Sequence, residues 1–305
     1  MAEPPEISRH GRSHRSRRIG ALAGLLVGAG ILAAIVWSVT SRGGHESAPL
    51  PPPAATTAGP PPKPVLRIVF PEGFTRKEMA KRIAAVNDIA KRQREIVPSL
   101  SPPAYLRLTK TAKDAKLPAG FKRSRPPTLE GFLFPATYDF TEDTTTRRLV
   151  GMQLDAFREN WAKVDLAYAK AKNLTPYDVL IIASMIEKEV RVPKERPLVA
   201  AVIYNRLKRR LPLGIDATIR YGLDIPPTKA IRQSQLDSGN PYNTRTHTGL
   251  PPTPIANPGL ASLQAAAHPA KVGYLYFIRR ADCRSHFFTA SEQKFLAYSR
   301  AGLQC

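Results

Sequence analysis

The sequence predicts an α+β protein held behind a single N-terminal membrane-spanning helix. Three observations predict it. An uncharged run of 22 residues lies near the start. Segments with helical apolar spacing fill the middle of the chain, at 149–161, 174–190 and 194–210. Short β-rich runs stand at either side of them, at 65–70 and again near 273–278 and 286–289, which suits a small, mostly antiparallel sheet with helices packed on it.

The uncharged run, residues 19–40, is long enough to cross the ~30 Å hydrocarbon layer as a helix. Five arginines precede it (Arg9, Arg12, Arg15, Arg17 and Arg18), whereas Arg42 alone follows closely, so the first 18 residues are expected in the cytoplasm and the rest outside. The run exceeds the usual h-region of about 7–15 residues, which argues for a retained anchor over a cleaved signal peptide. Trp37 suits the outer interface. The expected localisation is therefore the cytoplasmic membrane, single-pass, with the bulk of the chain extracytoplasmic.

The formal net charge is +22, of which the cytoplasmic tail carries only +3. The outer portion is thus strongly basic, and on that side of the membrane its acidic partners are lipid headgroups or wall polymer; nucleic acid is excluded by topology. The two cysteines, Cys283 and Cys305, both fall outside, where a disulfide is permitted but not dictated by sequence. The six histidines are scattered and no Cys/His spacing resembles a metal site, so neither metal nor cofactor is expected.

Residues 41–64 read as a linker, with eight prolines among the sixteen residues of 49–64 favouring extended polyproline geometry. In residues 65–70, Leu66, Ile68 and Phe70 alternate with Val65, Arg67 and Val69 as in a strand. Pro71-Glu72-Gly73 is a turn signal, and Thr75 with Glu78 forms a capping box for a helix carrying Met79, Ile83 and Val86. Residues 87–126 are polar and proline-interrupted, and only short helices are expected there. The boundaries drawn are 1–18, 19–40, 41–64, 65–126 as a small accessory module, and 127–305 as the main domain.

Residues 174–190 (LTPYDVLIIASMIEKEV) carry the most information. Thr175 is a good N-cap, Pro176 suits the first helical position and Asp178 complements the open N–H groups. From Val179 to Ile186 only Ser184 is polar, so this helix should be buried all round. Glu187 then follows on the face of Ala183 and Leu180. A carboxyl against apolar side chains prefers its neutral form, the state a general acid needs to protonate a glycosidic oxygen. On spacing alone the plainer reading is that Glu187 and Glu189 are the polar end of a helix, paired with Lys188, Lys194 or Arg196. Glu189 lies roughly 200° around the helix and is not its catalytic partner. Beyond the next helix stand an isolated acid, Asp216, and the Pro-, Gly-, Asn- and Thr-rich stretch 238–259, read as a binding loop.

With these residues in view, the chain resembles the YceG-like endolytic murein transglycosylases from about Val65 to its end. The marks are LEGFLFPATYDF (129–140), IASMIEKEV (182–190), Tyr204-Asn205-Arg206-Leu207, Asp216-Ala217-Thr218, Tyr221-Gly222, Pro241-Tyr242-Asn243-Thr244, GLPPTPIANPG (249–259) and AAAHPAKVGYLYF (265–277). The resemblance implies that residues 65–126 form a LysM-like module. It implies that Glu187 is the catalytic acid/base of a lyase cutting nascent peptidoglycan glycan strands, leaving 1,6-anhydro ends. It implies that Asp216, Thr218, Tyr221, Tyr242, Asn243 and Thr244 contact the glycan, and that cell-wall synthesis proteins are partners. Three positions depart from the family's usual pattern: Gly214 stands where a Gln is common, Arg245 for an aromatic and Thr253 for a glycine. Two other readings stay open: a muramidase-type hydrolase pairing Asp216 with Glu187, and a non-catalytic wall-binding scaffold.

Overall fold

A computed structural model describes residues 63–113, 115–121 and 126–303. The expected cytoplasmic tail and membrane span and most of the linker lie outside the described residues, as does Cys305. Among the described residues no helix is long and apolar enough to cross a membrane. Residues 60–305 cluster as one unit.

The alternation at the start of that unit behaves as its pattern requires. In β1 (Leu66–Val69) Leu66 and Ile68 turn inward and Arg67 and Val69 outward. Its partner is β2 (Thr137–Phe140), antiparallel, with Ile68 opposite Tyr138. Thr75 and Glu78 cap α1 (Arg76–Arg94) reciprocally, and Met79 and Ile83 are fully buried on its inner face. After α2 (Pro102–Thr109) and a 3₁₀ turn at Ala119–Phe121, the chain enters β2 and then α3 (Thr146–Trp161).

The described residues of 65–121 pack into the same buried cluster as the elements that follow them. The Tyr105 hydroxyl of α2 donates to Gln153 Oε1 of α3 at 2.8 Å, deep inside. Phe121 packs against Phe132, Phe157 and Trp161. A strand and two helices cannot cover their apolar faces alone, so they share one core with β2, α3 and the aromatic segment that leads into β2.

Next come α4 (Ala167–Ala171) and α5 (Pro176–Glu189), the latter started by the Thr175–Asp178 capping box. Every residue of α5 from Val179 to Ile186 is buried. Burial of each large apolar side chain stabilises the fold by about 1.5–3 kcal/mol, so α5 is the axis of the core. The following helix starts later than its sequence pattern suggests. Pro193–Glu195 forms a 3₁₀ turn, α6 is Arg196–Lys208, and the buried Glu195 is spent on His286, accepting its backbone N–H at 3.1 Å and contacting Nδ1 at 2.7 Å.

Two short helices, α7 (Asp216–Gly222) and α8 (Gln233–Leu236), precede the proline-rich loop, and α9 (Leu260–Ala267) follows it, packing on α5 and α6. The chain closes with β3 (Tyr276–Arg279), β4 (His286–Thr289) and α10 (Glu292–Arg300). The strand expected at 273–278 as buried begins at Tyr276 and is half-buried throughout. The one small sheet expected is instead two separate antiparallel pairs, β1–β2 and β3–β4.

Candidate active site

Three chain segments meet at the C-terminal end of α5. Glu187 is the first polar residue after the buried run, and its side chain is only 6% exposed. Its Oε2 accepts the backbone N–H of Gly259 at 3.0 Å. Gly259 is the N-cap of α9, so the positive end of that helix and the carboxyl face one another. Arg196, at the start of α6, places Nη2 3.9 Å from Glu187 Oε1 and the same 3.9 Å from Glu72 Oε2, while its Nε donates to Ser262 Oγ at 3.1 Å.

The third segment is the turn after β1. Gly73 sits at φ +78°, a conformation in which a side chain would be strained. Its N–H donates to the Asn257 carbonyl at 2.9 Å and its own carbonyl accepts from Lys188 Nζ at 3.2 Å. This turn brings Glu72 so close to Gly259 that a Cβ there would stand 1.7 Å from Glu72 Oε1. Burial, and then the nearby charge of Glu187, push the Glu72 carboxyl up from its ordinary value, against the pull of Arg196.

Beneath this lies a second polar centre. Glu130 is 2% exposed and accepts the Arg76 N–H at 3.0 Å, the Tyr221 hydroxyl at 3.1 Å and Asn257 Nδ2 at 2.8 Å. Burial outweighs these donors and the Arg76 charge and raises its pKa to about 7. Asn257 Nδ2 also donates to the Phe74 carbonyl at 2.8 Å, and its Oδ1 accepts the N–H groups of Gly131 and Leu133 at 2.8 and 3.0 Å. Asn257 thereby ties the LEGF segment, the 71–74 turn and the proline-rich loop together. Ser184, the one polar residue in the α5 run, accepts the Ile255 N–H at 3.0 Å and so pins the same loop to the core.

The other residues expected to contact substrate separate into two groups. Asp216 opens α7 with its side chain 47% exposed, and Arg245 holds its Oδ1 through Nε and Nη2 at 2.9 and 2.6 Å. Tyr242 is half-buried beside Tyr221, their ring centroids 5.2 Å apart, and its hydroxyl meets Thr253 Oγ1 at 2.8 Å. Two of the three departures from family pattern, Arg245 and Thr253, thus supply partners to predicted site residues.

Thr218, Asn243 and Thr244, expected to contact the glycan, are all buried. The Thr218 hydroxyl donates to the Ile215 carbonyl at 2.6 Å, and Thr244 Oγ1 accepts the Ile215 N–H at 3.0 Å. Asn243 Nδ2 donates to the Leu236 and Ser238 carbonyls, both at 2.8 Å. Their polar atoms brace the loop from within. Tyr221 likewise spends its hydroxyl inward on Glu130. Sequence reasoning named Arg196 only as a possible ion-pair partner of Glu187 and missed Glu72, Glu130, Asn257 and Gly259 as members of the site. Glu130 and Asn257 lay within the quoted motifs, and a polar residue amid an aromatic or proline-rich run was the available signal.

The arrangement can perform acid/base chemistry. It offers a shielded carboxyl with one fixed N–H donor, a guanidinium beside it and a second carboxyl on the same guanidinium. Among the described residues no three His, Cys, Asp or Glu side chains converge as a metal site would need.

A model of the YceG-like family matches residues 55–301. The chain is 31% identical over 217 residues to the endolytic murein transglycosylase of Bacillus subtilis (strain 168), covering 71% of this chain and 59% of that protein. It is 32% identical over 238 residues to the endolytic murein transglycosylase of Streptococcus pneumoniae (strain ATCC BAA-255 / R6), covering 72% and 41% respectively. A crystal structure of a putative YceG-like protein from Listeria monocytogenes aligns with a TM-score of 0.59 at 29% identity, covering 76% of this chain and 75% of that one. The chain spans about half the length of the curated relatives it matches.

Proposed function

Since the chain belongs to the YceG-like family, we propose that it is a peptidoglycan lytic transglycosylase, anchored in the cytoplasmic membrane by residues 19–40 and acting on glycan strands outside it. The observation that carries the reading is Glu187, 6% exposed at the end of a buried helix, with a fixed backbone donor on one oxygen and Arg196 beside the other.

In the proposed reaction Glu187 protonates the oxygen linking N-acetylmuramic acid to N-acetylglucosamine as the bond to the anomeric carbon breaks. The C6 hydroxyl oxygen of the same muramic residue then bonds to that carbon, and its proton returns to the Glu187 carboxylate. The product is a 1,6-anhydro end, and no water is consumed. Hydrolysis by a Glu187–Asp216 pair is disfavoured by what surrounds Asp216. Its carboxyl is occupied by Arg245 and its charge acts on Glu189, on the far side of α5 from Glu187.

A basic outer portion suits an anionic wall and membrane surface, and the proposed partners are glycan strands, the cytoplasmic membrane and cell-wall synthesis proteins. The test is a digest of purified peptidoglycan by the full chain in detergent, read by mass spectrometry. Wild type should release anhydro-ended muropeptides and Glu187→Gln none. Products carrying an added water, or equal release by Glu187→Gln, would remove the mechanism.

A further inference from the structure

The turn at 71–74 belongs to the segment expected to be an accessory module, yet its carboxylate enters the catalytic centre. Glu72 Oε2 and Glu187 Oε1 each lie 3.9 Å from the same Arg196 Nη2. The two carboxyls therefore stand within about 8 Å of one another, inside the range that paired carboxyls span in glycosidases. Glu72 is 50% exposed where Glu187 is 6% exposed, so it is the more open member of the pair. The closeness is built in, because position 259 has no side chain and the Glu72 carboxyl occupies the space a Cβ would take.

We propose that Glu72 is a positioning residue of the reaction, setting the charge around Glu187 through the Arg196 that both face. The proposal rests on the lyase reading above. A second carboxylate on the same guanidinium competes with Glu187 for its positive charge. The charges facing them are Arg196 from α6, Lys188 from α5, bonded to the Gly73 carbonyl, and the open end of α9 at Gly259. Gly259 and Arg196 bring positive charge to Glu187, and the carboxylate of Glu72 offsets it. Glu187 gives one proton to the glycosidic oxygen and regains one from the C6 hydroxyl, so no outside acid or base is required.

The experiment is a pH–rate profile of anhydro-muropeptide release by the full chain, with Glu72→Gln, Glu72→Ala and Gly259→Ala beside wild type. Glu72→Gln removes the like charge but keeps the shape. Its basic limb should move to lower pH by about one unit, with kcat at neutral pH roughly tenfold down and KM little changed. Gly259→Ala should reproduce that shift by displacing the Glu72 carboxyl, and should add nothing in the Glu72→Ala background, where the space is already empty. A purely structural Glu72 would lower the amplitude and leave the limb in place. An active wild type whose limb does not move in Glu72→Gln overturns the role of Glu72 alone. A wild type that yields no anhydro product overturns the lyase reading beneath it.

Discussion

Glu130 ties part of the stability of this fold to pH, with a sign opposite to that of most carboxylates. In the unfolded chain its carboxyl titrates near 4.5; in the native structure burial raises that to about 7, with Arg76, Tyr221 and Asn257 pulling the other way. A raised folded value means that the native state holds the proton more tightly than the unfolded one. The contribution is fully present below about pH 4.5 and declines as pH rises through about 7. At about 1.4 kcal/mol per unit, the native state should lose on the order of 3 kcal/mol across that window. Other groups titrate over the same range, so the useful quantity is the difference between wild type and Glu130→Gln, in which they cancel. Gln keeps one acceptor and a neutral charge, and so approximates the protonated form. Thermal unfolding followed through the buried Trp161 is a suitable assay for the full chain. The gap between the two proteins should change by on the order of 5–10 °C between pH 5 and pH 8, with wild type losing ground as pH rises. Parallel curves for the two proteins would mean that Glu130 is ionised throughout, and that its three donors outweigh its burial.

Two more outcomes rest on the same geometry. Asn257→Ala removes both hydrogen bonds given by Nδ2 and both accepted by Oδ1, leaving the N–H groups of Gly131 and Leu133 buried without a partner; it should cost at least about 3 kcal/mol in chemical denaturation and lower peptidoglycan cleavage by releasing the loop that carries Gly259. Thr218→Val keeps the volume and loses only the internal bonds to the Ile215 carbonyl and to Thr244 Oγ1, so it should cost about 1–2 kcal/mol of stability and leave the KM for glycan unchanged, whereas a raised KM would place Thr218 on the substrate face.

The helix that carries the candidate acid was legible because its signals are local. The cap at Thr175, Pro176 at the first position, Asp178 and the unbroken apolar run all lie within a few residues and name a buried helix without reference to the rest of the chain. The strand at 66–69 was legible for the same reason: its alternation told which face turns inward. What alternation cannot tell is the partner. β1 pairs with residues about seventy positions away, across the boundary drawn at 126. Glu72 shows the same limit at the site itself. In sequence it is the middle of a Pro-Glu-Gly turn, and nothing nearby hints that the turn docks on Gly259 and Glu187.

The stretch 238–259 carries two roles that its composition does not separate. Where its residues are buried, at Asn243, Thr244 and 253–259, side chains must satisfy the backbone N–H and carbonyl groups around them. Asn243 does this for Leu236 and Ser238, Thr244 for Ile215, Ser184 for Ile255, and Asn257 for Phe74, Gly131 and Leu133. The composition that such bracing demands, rich in Asn, Thr, Pro and Gly, is also the one a sugar-binding surface demands, because both need short donors and acceptors on bent backbone. Composition therefore cannot separate the two roles, and exposure can. By that criterion Glu72 beside the almost covered Glu187 is about half exposed, as is Asp216 on the Glu189 side of α5, and within the stretch itself Arg245, Thr246, His247 and Thr248 are exposed. The turn after the first strand thus belongs to the candidate site as much as α5 does.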